Sequence, residues 1–344
     1  MIKKIKVGVN GFGVIGKRVA DAVTLQDDME LVGVSDVVTD WRIKMAAHKG
    51  YSVYSSNPEA KEQMTKAGLE IMGTLEDLLK KVDVIVDATP KGIGAKNKLL
   101  YDQQKVKSIF QGGEKHELTG FSFVAQANYK EALGRDFVRC VSCNTTGLTR
   151  IVHALHQNGL VKKVRAVLFR RGTDPWESHK NGLINTVVPE KDIPSHQGPD
   201  VKTILPDLEI TTIAASGPFN LSHLHTIFVE LNRIVTKEEI VAIYRQTPRV
   251  VMIKKSEGLE GLNSTIELMR DLERPRNDMW EVALWEDILA VDGKELMMVY
   301  QVHNESIVIP ENIDAIRAIT SLETDARASI AKTDHSLGIV SNFL

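Results

Sequence analysis

Cys143 stands where a chain could place a nucleophile, in the run Cys140-Val141-Ser142-Cys143-Asn144-Thr145-Thr146-Gly147-Leu148. The residues before it, 137–142, read as a strand. Those after it carry an apolar stripe, Leu148, Ile151, Val152 and Leu155, which predicts a helix over 144–158. A thiol at a helix start meets unpaired backbone N–H groups and about half a positive charge, and both favour the thiolate, the reactive form. The bland alternative is a small buried hydrophobe that ends a strand, and it suits Cys140 better. Positions i and i+3 of a strand face opposite sides, so the two cysteines are not expected to pair or to share a metal.

The second chemical feature is Gly11-Phe12-Gly13-Val14-Ile15-Gly16, directly after the apolar run Ile5-Lys6-Val7-Gly8-Val9 and before a helical stretch with Val19, Ala22 and Val23 on one side. In a strand, glycine turn and helix of this kind, Gly11 permits the tight turn, Gly13 admits the backbone to a pyrophosphate, and Gly16 lets the helix pack close. A following strand, Leu31–Ser35, ends at Asp36, twenty residues beyond Gly16, where a carboxylate accepts hydrogen bonds from adenosine ribose hydroxyls and repels a 2′-phosphate. The expected ligand is therefore NAD, with NADP as the alternative if Arg42 or Lys44 reaches the ribose.

These two features need elements to hold them. Strand candidates at Glu70–Met72, Val82–Ala88, Lys107–Phe110 and Phe121–Val124 extend the alternating pattern, so 1–142 reads as a doubly wound, Rossmann-type parallel sheet in an α/β fold. Ala88–Gly92 and Gln111-Gly112-Gly113 fall just past strand ends, the edge where such sheets bind ligands. Beyond Cys143 the strands lengthen and alternate, at Val164–Arg171, Glu209–Ala215, His223–Leu231, Arg249–Ile253 and a hairpin from Val282–Ala290 to Leu296–Val302 turned at Asp292-Gly293. That texture predicts a second, α+β substrate domain with a largely antiparallel sheet over 143–303. The last helix is expected from Pro310 to about Lys332.

At 344 residues the chain can fill two cores, and a formal charge of −2 gives no reason to expect nucleic acid or an anionic membrane as partner. Only two cysteines suit a reducing, cytoplasmic setting. No apolar run is long enough to span a bilayer, and the start Met1-Ile2-Lys3-Lys4 does not read as a signal peptide.

The pairing of Asn10-Gly11-Phe12-Gly13 with Ser142-Cys143-Asn144-Thr145-Thr146 resembles the glyceraldehyde-3-phosphate dehydrogenases, closest to their archaeal branch. Lys17–Val23, Gln111–Lys115, Pro194-Ser195-His196, Gly198–Val201 and Glu305–Asp314 carry the resemblance along essentially the whole chain. It implies that residues 304–344 return to complete the nucleotide domain and that the assembly is a homotetramer. It also implies phosphorylating oxidation of glyceraldehyde 3-phosphate, with inorganic phosphate as second substrate, through a hemithioacetal and a thioester on Cys143.

Residue by residue, the resemblance assigns the base to His223 of His223-Leu224-His225, with His225 as the alternative on the same strand face. A zinc site there is not expected, because no clear third ligand is present. Arg170-Arg171 offers forked donors to phosphate, and Arg171 is expected where substrate and nicotinamide meet. Ser142, Asn144, Gln197 and Gly198 are the remaining substrate contacts, Gln197 replacing a more usual histidine. Gly113 and Asn304 complete the cofactor set, Asn304 holding the nicotinamide carboxamide. Archaeal relatives commonly place lysine where Asp36 stands, so this chain is expected to prefer NAD. Two other readings stay open: a same-fold semialdehyde dehydrogenase or acyl-phosphate reductase, and a non-catalytic nucleotide- or RNA-binding protein, which salt-sensitive RNA affinity without turnover would mark.

Overall fold

The computed structural model describes residues 4–111 and 113–344. Residues 1–3 of the start and Gly112 of the Gln111-Gly112-Gly113 turn lie outside the described residues. The described chain divides into two compact units. One comprises the residues up to Ser142 with Val308–Gly338, the other Cys143–Ile307 with Ile339–Leu344.

The first unit is built on seven parallel strands: β1 (Ile5–Asn10), β2 (Met29–Asp36), β3 (Val53–Ser55), β4 (Val84–Asp87), β5 (Lys107–Phe110), β6 (Ser122–Phe123) and β7 (Phe137–Cys140). Their order is β3-β2-β1-β4-β5-β7-β6, so the winding direction reverses between β1 and β4, the switch point at which such sheets open a crevice. Strands covered on both faces read as continuous apolar runs, and Val84, Ile85 and Val86 are fully buried. This is the expected Rossmann-type sheet.

Two expectations within it fail. Glu70–Met72 makes no strand; it runs past β3, where Met72 N–H donates to Val53 O at 2.8 Å, and the third strand is Val53–Ser55. The long last helix is two helices, Ile309–Ile319 and Ala326–Leu337. Ser321 turns left-handed (φ +54°) and the Asp325 carboxylate, accepting from Ala328 N–H, starts the second.

The second unit carries β8 (Val161–Arg171), β9 (Val188–Pro189), β10 (Ile210–Gly217), β11 (His223–Leu231), β12 (Val250–Ile253), β13 (Val282–Trp285), β14 (Ala290–Asp292) and β15 (Glu295–Val302). The order is β12-β13-β15-β11-β8-β10-β9, with β14 on β15. Pairing is mostly antiparallel, but β10 runs parallel to β8 and β12 to β13. Along β11 burial alternates strictly: His223, His225, Ile227, Val229 and Leu231 are buried, and the residues between them are half-exposed.

The boundary differs from the one read in sequence, which returned the chain to the first unit at 304 and kept the whole tail there. Residues 304–307 and 339–344 group with the second unit, for local reasons. Ser306 Oγ donates to Met279 O at 2.7 Å, Val340 N–H donates to Glu281 at 3.0 Å, and Phe343 packs with Met269, Met279 and Trp285.

Candidate active site

In the first unit the glycine turn is shaped by exclusion. Gly11 is left-handed (φ +91°), and a Cβ on it would lie 2.8 Å from the Ala88 carbonyl; a Cβ on Gly16 would lie 1.8 Å from the Gly11 oxygen. Gly13 is the opposite case, since a Cβ there would meet nothing within 4 Å. It opens the helix Val14–Thr24, whose first turn has no side-chain cap and so keeps its N–H groups for an anion. The other helix start at this edge is taken, because Glu114 accepts from Gly92 N–H at 2.7 Å and Gly94 N–H at 3.1 Å. A pyrophosphate therefore fits at Gly13–Gly16 and not at Gly92. Gly113 lies against Lys91, a Cβ on it falling 3.6 Å from the Lys91 Cβ.

Asp36 ends β2 with its carboxylate already at work. Oδ2 accepts Phe12 N–H at 2.6 Å and Oδ1 accepts Val37 N–H at 2.6 Å, so the residue clasps the glycine turn from the neighbouring strand. Oδ1 also accepts Val38 N–H at 3.3 Å, so Oδ2 is the oxygen that keeps a second lone pair for a ribose hydroxyl. Arg42 is bound to Asp40 through Nε at 3.0 Å and a terminal nitrogen at 2.6 Å, while Lys44 is exposed. Beneath the turn, Asn10 donates to the Tyr101 hydroxyl at 2.8 Å, Tyr101 donates to Asp87 at 2.7 Å, and Ser35 and Ser56 donate to Asn10 Oδ1.

In the second unit Cys143 opens the helix Cys143–His156, one residue earlier than the sequence suggested. Its Sγ lies 3.3 Å from His223 Nε2. The strict alternation of β11 aims both histidines at the helix start: His225 Nε2 is 2.9 Å from Asn144 Oδ1, and the two rings are near parallel, 6.4 Å apart. His223 thus addresses the sulfur and His225 the next residue. Arg171 N–H, at the end of β8, donates to His223 Nδ1 at 3.1 Å.

Burial governs the charge states. Packing around the sulfur pushes the Cys143 thiol above its ordinary value, against the smaller opposing pull of Arg171, Arg170 and the Asn144 N–H. This reverses the depression expected from the helix start alone. His223 is held well below the ordinary imidazole value by burial first, then by His225 and Arg171, and His225 is lowered to about 3 by burial and Arg170. The pair at neutral pH is a thiol beside a neutral imidazole.

Around this pair stand polar groups in want of partners. Arg171 is ion-paired with Asp174 at 2.6 Å and Arg170 with Glu190, yet the Nε of each arginine is buried without a partner. Gln197 is fully buried with both amide atoms unpaired. Its short helix is tied to the helix Cys143–His156 by Thr145 Oγ1 donating to Asp200 at 2.8 Å. Asn304 Oδ1 accepts Ser222 N–H at 2.8 Å, which leaves its amide nitrogen free to donate. Gly198 differs from its neighbour: its N–H is spent on Ser195 O and Thr212 Oγ1, and a Cβ would lie 2.9 Å from that hydroxyl, so its role is to close the turn. Ser142 is half-buried just before the sulfur. Among the described residues no three His, Cys, Asp or Glu side chains converge as a metal site. Sequence reasoning missed the Arg171 amide, the Asp174 partner and the Thr145–Asp200 tie; only the spacing of Arg171 and Asp174 offered a hint.

Comparison with known proteins agrees with both halves. Residues 142–272 match the family described as glyceraldehyde 3-phosphate dehydrogenase, C-terminal domain, and residues 5–145 match dihydrodipicolinate reductase, N-terminus. The chain is 49% identical to the glyceraldehyde-3-phosphate dehydrogenase of Thermococcus kodakarensis, over 98% of this chain and 99% of that one. It is 50% identical to that of Pyrococcus furiosus over the same shares, and 45% identical to that of Methanothermus fervidus over 97% and 99%.

Proposed function

The chain belongs to the glyceraldehyde-3-phosphate dehydrogenase family, and from that premise we propose that it oxidises D-glyceraldehyde 3-phosphate to 1,3-bisphosphoglycerate with NAD(P) and inorganic phosphate. The observation that carries the reading is the 3.3 Å approach of Cys143 Sγ to His223 Nε2 at a helix start. The sulfur, once ionised, adds to the aldehyde carbon and forms a hemithioacetal, which is oxidised to a thioester on Cys143. Phosphate then attacks that thioester and releases the acyl phosphate and the thiolate.

Arg170 and Arg171 supply cationic forks for phosphate, and Gln197 adds a neutral amide. Ser142 and Asn144 flank the sulfur as further substrate contacts. The dinucleotide, when bound, supplies the hydride acceptor. Gly11, Gly13, Val14, Ile15 and Gly16 would hold its pyrophosphate, Asp36 its ribose and Gly113 the neighbouring edge. Arg171 and the free amide nitrogen of Asn304 would serve the nicotinamide end. Asp36 argues for NAD over NADP, since its carboxylate would face the 2′-phosphate and Arg42 is already committed to Asp40.

Exposed Phe169 and Ile213 on the sheet, with Ile184, Val187, Val188 and Ile193 on the segment before the short helix, suit burial against further copies in a homotetramer. Both cysteines are free, as befits the reducing cytoplasm where we place the protein. Among the described residues no helix is long and apolar enough to cross a membrane. Initial rates with NAD and NADP, with and without phosphate, test the reading. Reduction of NAD that depends on both glyceraldehyde 3-phosphate and phosphate is expected; its absence, or equal rates without phosphate, would overturn it.

A further inference from the structure

We propose that Glu190 is a built-in competitor for Arg170: its carboxylate holds the guanidinium until a phosphate oxyanion takes it over, and in this way it sets the affinity of the site for phosphorylated substrate. The inference rests on the function proposed above, which makes Arg170 a phosphate contact.

The geometry begins on β8. Val164, Ala166 and Leu168 are buried along it, and Arg170 continues that face by the period of two. Leu168 lies opposite His225 of β11, whose ring reaches Asn144, so Arg170 belongs to the face that looks at the start of the helix Cys143–His156. Its charge is felt there, where it joins Arg171 in drawing the Cys143 thiol down against burial. From this face the guanidinium reaches past β10 to form an ion pair with Glu190. Glu190 directly follows the edge strand β9, and its N–H donates to Ala214 O at 2.9 Å, so the main chain behind the carboxylate is fixed.

Three features make this pair exchangeable. Both side chains are about a quarter exposed, at 27% and 25%, so a small anion can reach them and the pair itself contributes little to stability. Arg170 Nε is buried without a partner, and an oxyanion can accept from it before the carboxylate lets go of the outer nitrogens. The displaced carboxylate also has somewhere to turn, because His196 Nδ1 lies 3.7 Å from its second oxygen and that imidazole is 61% exposed. A phosphate carries more charge than the carboxylate and offers more acceptor oxygens, so it wins the exchange while Glu190 lowers the net gain. Glu190 is in this sense a positioning residue, acting through Arg170.

Glu190→Gln tests the proposal, since it keeps the size of the side chain and removes its charge. Calorimetric titration with inorganic phosphate should give a dissociation constant roughly two- to fivefold lower than in the unaltered protein. In activity, kcat/KM for glyceraldehyde 3-phosphate relative to unphosphorylated glyceraldehyde should rise by the same factor; a packing defect or an altered thiol would move both aldehydes together. In an Arg170→Gln background the same substitution should change either quantity by less than about 1.5-fold, because the group through which it acts is gone. Phosphate affinity that stays level or weakens in Glu190→Gln would overturn the proposal, as would a gain that survives in full without Arg170. If the unaltered protein oxidises no glyceraldehyde 3-phosphate, the proposed function fails instead, and the phosphate titrations still decide the competition.

Discussion

In the first unit Asp87, Tyr101, Asn10 and Ser35 satisfy one another beneath the glycine turn, and Asp36 spends both oxygens on backbone N–H groups. In the second, Gln197, His225 Nδ1, the Nε atoms of Arg170 and Arg171 and the Asn304 amide nitrogen are buried with no protein partner. Gln126 is the exception in the first unit among the described residues. The two units prepare for a ligand by different means. One keeps empty space and uncapped main-chain donors at Gly13; the other keeps unsatisfied side chains. A buried polar atom without a partner costs about 1–3 kcal/mol, so the second unit should be the less stable and should gain more from its ligand.

The harshest way to break this contrast is at the sulfur. Cys143→Ser should lower aldehyde oxidation on the order of 10³-fold or more, with dinucleotide affinity measured by calorimetry unchanged, because an alcohol is far harder to ionise. Iodoacetamide should label Cys143 and spare Cys140, which is sealed in the sheet and whose thiol burial raises further. With the Cys143 thiol raised above its ordinary value, the labelling rate should keep climbing with pH through the usual thiol range.

Acid should sharpen the contrast next. His225 titrates at about 3 in the folded chain and near 6.5 when unfolded, so the unfolded state binds its proton first as pH falls. Stability is therefore full above about pH 6.5. It declines by up to about 1.4 kcal/mol per pH unit for this residue on the way down to about 3, and His223 adds a loss of the same sign. Urea midpoints between pH 8 and pH 4 should show the slope, and His225→Gln, which keeps a donor for Asn144, should flatten it.

At the glycine turn the effect is on choice. We expect a preference for NAD of roughly tenfold to a thousandfold, and Asp36→Asn, which keeps one acceptor oxygen, should narrow it. Asp36→Lys should weaken both dinucleotides as well, because Phe12 and Val37 lose their acceptor. Equal catalytic efficiency of the unaltered protein with NADP would remove the argument from Asp36.

The smallest change is the most diagnostic of an unsatisfied side chain. Gln197→Met replaces an unpartnered buried amide with an apolar chain of similar length. Thermal unfolding should show a gain of about 1 kcal/mol, while KM for the phosphorylated substrate rises roughly tenfold. Loss of stability would mean that Gln197 is satisfied within the protein after all.

What could be read beforehand was what local chemistry dictates. Gly11 and Gly16 announce their turn because only glycine tolerates those two positions, and β11 announces its buried histidines by a period of two over the whole of His223–Leu231. The three-residue β3 is too short to show a period, and Glu70–Met72 alternates like a strand while gaining no ladder. The final helix was read through its own break because Ile313, Ile316, Ile319 and Leu322 keep their spacing across the left-handed turn at Ser321. At the site, residue types were legible and hydrogen-bond directions were not. No side-chain pattern shows that a main-chain N–H will meet Nδ1 of His223, or that desolvation will outweigh the helix start at Cys143.

One feature of the first unit bears on how the molecule comes into being. All eleven residues of Ile309–Ile319 are buried, and Arg317 reaches Asp28 at 2.8 Å, yet the ribosome makes this helix only after residues 143–307. At roughly 5–20 residues per second that interval lasts about ten to thirty seconds. Throughout it the first unit lacks a helix whose every residue is buried in the finished structure. Completion thus departs from chain order: the unit begun first is finished last.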